Sequence, residues 1–482
     1  MTTTSNWLRE KVTRLMRQSP AEEPAEGSKP GAPRGGPRTL AQRLDGVVRK
    51  GGEALSPREL RRILGELQSV VDRQVSEVEA GRRASEIARW YAQAPLPERL
   101  DCLRLMSERF AHDRAELQAA HAQYEASQGS AQHGQAEIAL RQALESPRLR
   151  LLQRFAGFAQ GMRFLVELRA EILPLLRTEK WLAPIDAELE GLFARWFDVA
   201  FLELRRISWD SPASLIEKLI KYEAVHAIRS WADMKNRLDS DRRCYGFFHP
   251  HMPDEPLIFV EVALLDQMPD NMAPLLDETA SAADLNKATT AIFYSISNTQ
   301  PGLRGVSFGD SLIKRVVEAL QQEFPKLKSF ATLSPIPGLR SWLTRNTARL
   351  LEKLGPKVRL QLAHTLAIDA PTPEALLAAF DAPLELTEKS PLRKLLLQAA
   401  ATYLTELGKA ERPLDPVARF HLGNGARIER LNWAADSSAK GLKQSCGLMV
   451  NYLYDLNRLD KHRSQLAQGK IPTSSAIDAL VL

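Results

Sequence analysis

The stretch 289–323, TTAIFYSISNTQPGLRGVSFGDSLIKRVVEALQQE, decides the fold. Its first part, 289–296, is dense in β-branched and aromatic residues and reads as a strand. Its last part opens at Gly309-Asp310 and places Leu312, Ile313, Val316, Val317 and Leu320 on one helical face. Between them lies a glycine-rich turn, Gln300-Pro301-Gly302-Leu303-Arg304-Gly305-Val306-Ser307-Phe308-Gly309. A strand, a glycine turn and a helix in this order predict mixed α and β structure. The backbone N–H groups of such a turn, with the helix N-terminus behind them, favour an anion, pyrophosphate above all. Arg304 adds a charge-assisted contact.

The same texture extends outward. Further β-rich runs stand at 244–248, 257–265, 329–334 and 448–454. In the last, Leu448, Val450, Tyr452 and Tyr454 alternate with Met449, Asn451 and Leu453. Ser211-Pro212, Thr372-Pro373-Glu374 and Ser390-Pro391 are helix starts with a capping residue before proline. Residues 191–482 therefore read as an α+β domain with a helical insertion at about 340–415. Upstream, 53–190 is dense in Leu, Ala, Arg, Glu and Gln. Ser56-Pro57-Arg58-Glu59 is a capping box, and 98–125, 135–175 and 183–206 read as helical. Residues 41–190 are expected to form an all-helical domain of antiparallel helices. Nothing in its composition points to chemistry, so oligomer contacts are its expected role.

Residues 19–39 hold five Pro and four Gly in 21 positions, which predicts a disordered linker within a tail spanning 1–40. Residues 6–17 form a short basic amphipathic segment. It suits a frayed tail helix, an organellar transit peptide or contact with an anionic membrane surface. The first 50 residues carry ten Lys/Arg and five Asp/Glu, so nearly all of the net +6 of the 482-residue chain sits there. The folded part lacks the basic excess of a nucleic-acid binder. No run of eighteen apolar residues occurs, which argues against a spanning helix. The three cysteines, Cys102, Cys244 and Cys446, are scattered and form no C-x-x-C. They read as free thiols in a reducing compartment. The expected location is the cytoplasm, with the mitochondrion as the alternative that the basic N-terminus keeps open.

Four motifs compete for the chemistry. Gly305-Val306-Ser307-Phe308-Gly309 matches G-x-S-x-G between a strand and a helix, with Ser307 as nucleophile and His421 as base. Against it, 297–304 separates the strand from the elbow and contains a proline. Leu333-Ser334-Pro335-Ile336-Pro337-Gly338 holds Ser334 on a stiff turn at a strand end. Phe420-His421-Leu422-Gly423-Asn424-Gly425-Ala426 places a histidine, the side chain best suited to proton transfer near neutrality, beside a turn. His249-Pro250-His251 offers two metal ligands, but no third stands at ligand spacing, and no metal is expected. Arg242, Arg243, Lys440 and Lys443 read most simply as solvated surface.

Read together, these segments resemble the malonyl-CoA decarboxylase family. The likeness runs through SWDSPASLIEKL (208–219), EAVHAIRSWADMKNRL (223–238), RRCYGFFHPHMPDEPL (242–257) and 291–325. It continues through TLSPIPG (332–338) and DPVARFHLGNGARIERLNWAADSSAKGLKQSCGLMVNYLYDL (415–456). The resemblance implies an N-terminal helical domain making oligomer contacts. It implies a catalytic domain of acetyltransferase-like (GNAT) fold, with coenzyme A bound where two parallel strands splay. The implied reaction turns malonyl-CoA into acetyl-CoA and carbon dioxide. The family's catalytic serine falls on Ser334, its histidine on His421 and an active-site tyrosine on Tyr454. Asn424 is expected to orient His421 or the malonyl carboxylate. Ser297, Gln300, Arg304, Gly305, Val306, Ser307, Phe308, Gly309 and Asp310 are the expected substrate and coenzyme A contacts. No cofactor beyond the thioester substrate is implied.

The chain departs from the family at Ser307, where a catalytic glutamate is implied. It also lacks the terminal Ser-Lys-Leu of some relatives, ending Asp478-Ala479-Leu480-Val481-Leu482. An acyl-CoA acyltransferase on the same fold, a serine hydrolase and a catalytically silent scaffold are the competing expectations.

Overall fold

The computed structural model describes residues 38–306, 312–408 and 411–482. The amphipathic segment, the Pro/Gly linker and the turn residues Ser307, Phe308, Gly309 and Asp310 lie outside the described residues. The described residues form two compact units, 38–61 and 62–482. In the first, Thr39 and Gln42 cap the helix Leu40–Asp45 reciprocally, and Arg38 pairs with Glu53 at 2.7 Å. Ser56 and Glu59 form the expected capping box, with bonds of 2.8 and 3.3 Å, at the head of the helix Pro57–Val71.

Helices Glu77–Gln93, Leu96–Arg109, Arg114–Ala126, His133–Ala143, Pro147–Phe155, Gly161–Leu175 and Ala183–Trp196 follow. The last is shorter than its helical pattern, which runs to 206. Residues Glu203–Ile207 are instead strand β1, paired antiparallel with β2 from Glu203↔Phe248 to Ile207↔Cys244. Cross-strand pairing there outweighs helix propensity.

The second half is built on a mixed sheet. Its strands are β2 (Arg242–His249), β3 (Met252–Leu265), β4 (Thr290–Asn298), β5 (Ser329–Thr332), β6 (Ser334–Pro335), β7 (Arg427–Asn432) and β8 (Met449–Leu453). The order is β1-β2-β3-β4-β5-β8-β6, with β7 also on β8. Only β4 and β5 run parallel among the described pairs, joined by the crossover helix Leu312–Glu323. Helices Leu339–Lys353, Pro356–Leu366, Pro373–Asp381, Pro391–Thr405 and Pro416–Gly423 fill the expected insertion between β6 and β7. The chain is thus α+β, a helical N-terminal region followed by a mixed-sheet domain.

Two core clusters lie on one face of the sheet, where Phe259 and Ala263 of β3 point the same way and Ile292 stands opposite Ala263. Ile292, Tyr294, Ala331, Leu333 and Met449 pack with Met272 and Leu275. Ile207, Cys244 and Phe259 pack with Ile216, Leu219 and Met234. All three cysteines are free and buried. Arg242 and Arg243 correct the sequence reading. They are buried, not solvated, and pair with Asp241 and Glu323 at 2.6 Å each. Lys440 donates to the carbonyls of Ala224 and Val225. Among the described residues no helix is long and apolar enough to cross a membrane.

Candidate active site

Strands β4 and β5 hold together from Thr290↔Ser329 to Phe293↔Thr332, and the Leu333 amide still donates to the Phe293 carbonyl at 3.1 Å. Beyond that point they part. β4 continues to Asn298 against β3, while β6 turns away and pairs with β8 through Ser334↔Val450. A register shift opposite Glu261 makes Tyr294 the extra residue of a bulge in β4, just where the partner leaves. Thr299 N–H donates to the Leu257 carbonyl at 3.0 Å. Alternation along the strand then turns the peptide groups of Ile296 and Asn298 toward the gap. The gap is a cavity of about 220 Å³, lined by Phe293 to Ile296, Asn298, Ser334, Pro335, Val417, Phe420 and His421 among others.

Ser334 and His421 meet at this cavity. Period-two alternation puts Thr332 and Ser334 on one side of the chain, and Ser334 Oγ donates to Thr332 Oγ1 at 2.8 Å. His421 Nε2 lies 3.2 Å from Ser334 Oγ, and His421 Nδ1 lies 2.7 Å from Tyr454 Oη. With the Ser334 proton on Thr332, Nε2–H donates to Ser334 and Nδ1 accepts from the Tyr454 hydroxyl. Thr332 Oγ1 also accepts the Tyr452 amide at 3.2 Å, and the Tyr452 ring stacks on His421 at 4.6 Å between centroids. The Tyr454 amide donates to the Phe330 carbonyl at 2.8 Å, which ties the tyrosine to β5.

The helix Pro416–Gly423 presents His421. Asp415 caps it, accepting from the amides of Val417 and Ala418 at 2.9 Å each and from the Tyr403 hydroxyl at 3.1 Å. The Tyr403 hydroxyl also crowds the SPIPG turn. A Cβ on Gly338 would stand 2.0 Å from it, so only glycine fits there. His421 lies in the last helical turn, where the helix dipole favours a cation. Burial opposes this and prevails, pushing the imidazole down to about 3. Burial likewise pushes the Tyr454 and Tyr452 phenols well above their ordinary value. Serine, histidine and tyrosine are therefore all uncharged near neutrality.

The remaining expected residues have other placements. Asn424 caps the histidine helix, and its Nδ2 donates to the Phe420 carbonyl at 2.8 Å. It makes no hydrogen bond with His421 among the described residues. Ser297 Oγ donates to Glu223 Oε2 at 3.1 Å and accepts the Ala224 amide at 3.2 Å. Glu223 also accepts from Ser295 Oγ and from the amides of Val225 and His226. Gln300 Nε2 donates to Thr299 Oγ1 at 3.0 Å. Val306 is buried, Gly305 adopts φ 85°, and Arg304 is exposed.

The turn that bears Arg304 is held from the helical region. Arg169, only 1% exposed, donates to the carbonyls of Gly302 and Arg304 at 2.9 Å each. The same guanidinium pairs with Asp186 at 2.8 Å and Glu190 at 3.0 Å. Gly302 lies so close to the helix Gly161–Leu175 that a Cβ would stand 1.8 Å from the Val166 carbonyl oxygen. Sequence reasoning missed Arg169, Glu223, Thr332 and Tyr452. The spacing of Thr332 and Tyr452, two residues from Ser334 and Tyr454, was a usable signal. Arg169 and Glu223 left none, because the groups that they hold at the cleft, the carbonyls of Gly302 and Arg304 and the hydroxyls of Ser295 and Ser297, are more than 70 residues away in sequence.

Comparisons with known proteins give the family. The family described as the malonyl-CoA decarboxylase C-terminal domain matches residues 200–482, and its N-terminal domain matches 110–197. The mitochondrial malonyl-CoA decarboxylase of Mus musculus is 39% identical over 72% of this chain and 73% of its own length. That of Anser anser anser is 36% identical over 78% of each. The crystal structure of malonyl-CoA decarboxylase from Rhodopseudomonas palustris has a TM-score of 0.76 and 40% identity, covering 87% of this chain and 99% of that one. The Cupriavidus metallidurans enzyme gives 0.73 and 43%, covering 88% and 100%. From the paired domain matches and the length of these alignments, the chain belongs to the malonyl-CoA decarboxylase family.

Proposed function

We propose that this chain decarboxylates malonyl-CoA to acetyl-CoA and carbon dioxide in the gap between β4 and β6. The observation that carries the reading is the hydrogen-bonded series Thr332, Ser334, His421 and Tyr454 at one wall of that gap. Breaking the bond between C2 and the carboxylate sends its electron pair into the thioester carbonyl. Carbon dioxide leaves, and an enolate remains. Peptide N–H groups of the free segment of β4, at Ile296 or Asn298, are positioned to hold the enolate oxygen. The thioester carbonyl is itself the electron sink, so the cleavage requires no further cofactor.

The enolate then takes a proton at C2. Ser334 O–H swings from Thr332 to C2, His421 Nε2–H passes to the Ser334 oxygen, and a solvent proton returns to Nε2, so that neither group is left charged. A buried neutral imidazole holds no spare proton, so the pair is a path, and the proton comes from solvent. Tyr454 keeps Nδ1 in the accepting state and so keeps the proton on Nε2. Dry surroundings favour the reaction in another way: a carboxylate moved out of water is less stable than the neutral carbon dioxide it becomes. The glycine turn at 300–306 faces the other end of the thioester in this reading, with Arg304 near the pyrophosphate.

The test is direct. The purified full chain should release carbon dioxide and acetyl-CoA from malonyl-CoA without an acceptor amine or alcohol. In deuterated water one deuterium should enter the acetyl methyl group. Turnover that requires an acceptor would replace this reading with acyl transfer. Two coarser roles belong to the same proposal. Helices of 62–196 carry contacts between copies of the chain, supported by exposed Ile138 and Leu144 at 46% and 56%. Sedimentation of the full chain tests this. The free, buried thiols favour work in a reducing compartment such as the cytoplasm.

A further inference from the structure

We propose that the chain carries a second anion site, apart from the thioester cleft, that takes a small molecule with two or more phosphate or carboxylate groups. The site is a cavity of about 620 Å³ between the start of β7, the helix Leu459–Ala467 and the segment 469–481. Its volume is that of a metabolite pocket rather than a crevice for one ion. Arg427, Arg458, Lys461 and Lys470 line it, against Asp478 as the sole lining carboxylate among the described residues.

The charges are unevenly spent. Arg427 pairs with Glu429 at 2.6 Å and Arg458 with Asp455 at 3.4 Å. Asp478 is engaged by the Thr473 hydroxyl at 2.5 Å. Lys461 and Lys470 have no ion pair among the described residues. His462 supplies an independent sign of a ligand. It lines the cavity yet is only 5% exposed. Its Nδ1 stands 2.9 Å from the Gly425 carbonyl, which can only accept, so Nδ1 carries the proton. Nε2 is left with no protein partner among the described residues. Two lysines without ion pairs, two arginines with further donors and the imidazole of a largely buried histidine converge on one space. Arginine forks match planar carboxylate and tetrahedral phosphate, and lysines add point charge. The site also backs onto the catalytic helix: Gly425 holds His462, and the next amide, Ala426, donates to the His421 carbonyl at 3.1 Å.

The test is calorimetric titration of the full chain with inorganic pyrophosphate and, separately, with citrate, each with and without saturating coenzyme A. The same titrations are run on Lys461→Glu/Lys470→Glu, whose circular dichroism and malonyl-CoA turnover should match the parent. The expected result is saturable binding of at least one anion that survives coenzyme A and weakens by about tenfold or more in the double variant. Binding of pyrophosphate alone assigns the site to phosphates, and binding of citrate alone to carboxylates. Absence of saturable binding, loss of binding on adding coenzyme A, or equal affinity in the folded variant overturns the proposal.

Discussion

The two ends of the proposed thioester cleft are built on opposite principles. At the reacting end, Ser334, His421 and Tyr454 are buried and uncharged, joined by hydrogen bonds of 2.7 to 3.2 Å. At the turn end, the 302–304 backbone is gripped by the Arg169 guanidinium, which also holds two carboxylates. The first assembly comes from one domain, within residues 332–454. The second reaches across from the helical region. The contrast separates two jobs. Chemistry that ends in an enolate profits from neutral donors in a dry place, where each hydrogen bond is strong. Holding a polar backbone turn against a helix requires a group that satisfies several acceptors at once, and arginine does so with a planar fork.

The strongest way to break the comparison is at the reacting end. Ser334→Ala and His421→Ala should each lower kcat for carbon dioxide release by roughly 10²–10⁴-fold. The double variant should be little worse, because the pair acts as one path. Additive losses would mean two separate roles.

Arg169→Met tests the other end. It strips two carbonyls and two carboxylates of their partner and should cost about 3 kcal/mol in denaturant unfolding. KM for malonyl-CoA should rise more than kcat falls, since the turn is remote from C2. A larger effect on kcat would join the two ends into one unit. Arg169→Lys should rescue little, because an ammonium cannot span the same acceptors.

Tyr454→Phe sharpens the reacting end. It leaves Nδ1 unpaired in a buried place and frees the imidazole to exchange tautomers. About 1–2 kcal/mol, or roughly tenfold in kcat, is the expected loss. Parental turnover would remove the tyrosine from the proton path.

The smallest effect concerns pH. Burial holds His421 at about 3, below its ordinary 6.5. The unfolded chain therefore takes up the proton first as pH falls. The contribution of this group to stability is complete above 6.5 and is lost progressively between 6.5 and about 3. In the free enzyme, kcat/KM should show no acid limb near 6.5 that disappears in His421→Ala. A limb there that vanishes in the variant would mean that His421 works as a cation.

Much of this architecture was legible in the sequence, and the unread part has a common cause. The stretch 289–323 foretold β4 and its crossover helix, because both periodicities are local. SPIPG and HLGNG set Ser334 and His421 beside turns, and the family resemblance gave them their expected roles. The helical pattern past Trp196 misled, since β1 is defined by its partner β2 rather than by its own residues. Arg243 looked like surface because its carboxylate, Glu323, lies 80 residues away. Arg169 was hidden in a similar way, since the carbonyls it grips lie 133 and 135 residues on. Long-range ion pairs and backbone grips leave no spacing to read.

The bulge and departure of β5 leave β4 with an edge inside the molecule rather than at its rim. Such edges ordinarily recruit another strand. Here the chain guards it: Glu223 splints Ser295 and Ser297 from one side, and Pro335 at the start of the diverging segment cannot donate an amide back across the gap. The amides of Ile296 and Asn298 should therefore exchange with solvent hydrogen far faster than that of Ile292, deep in the paired part of the same strand. A bound acyl thioester should slow them. The amount of slowing at each amide would then map, residue by residue, where the acyl chain lies along the strand.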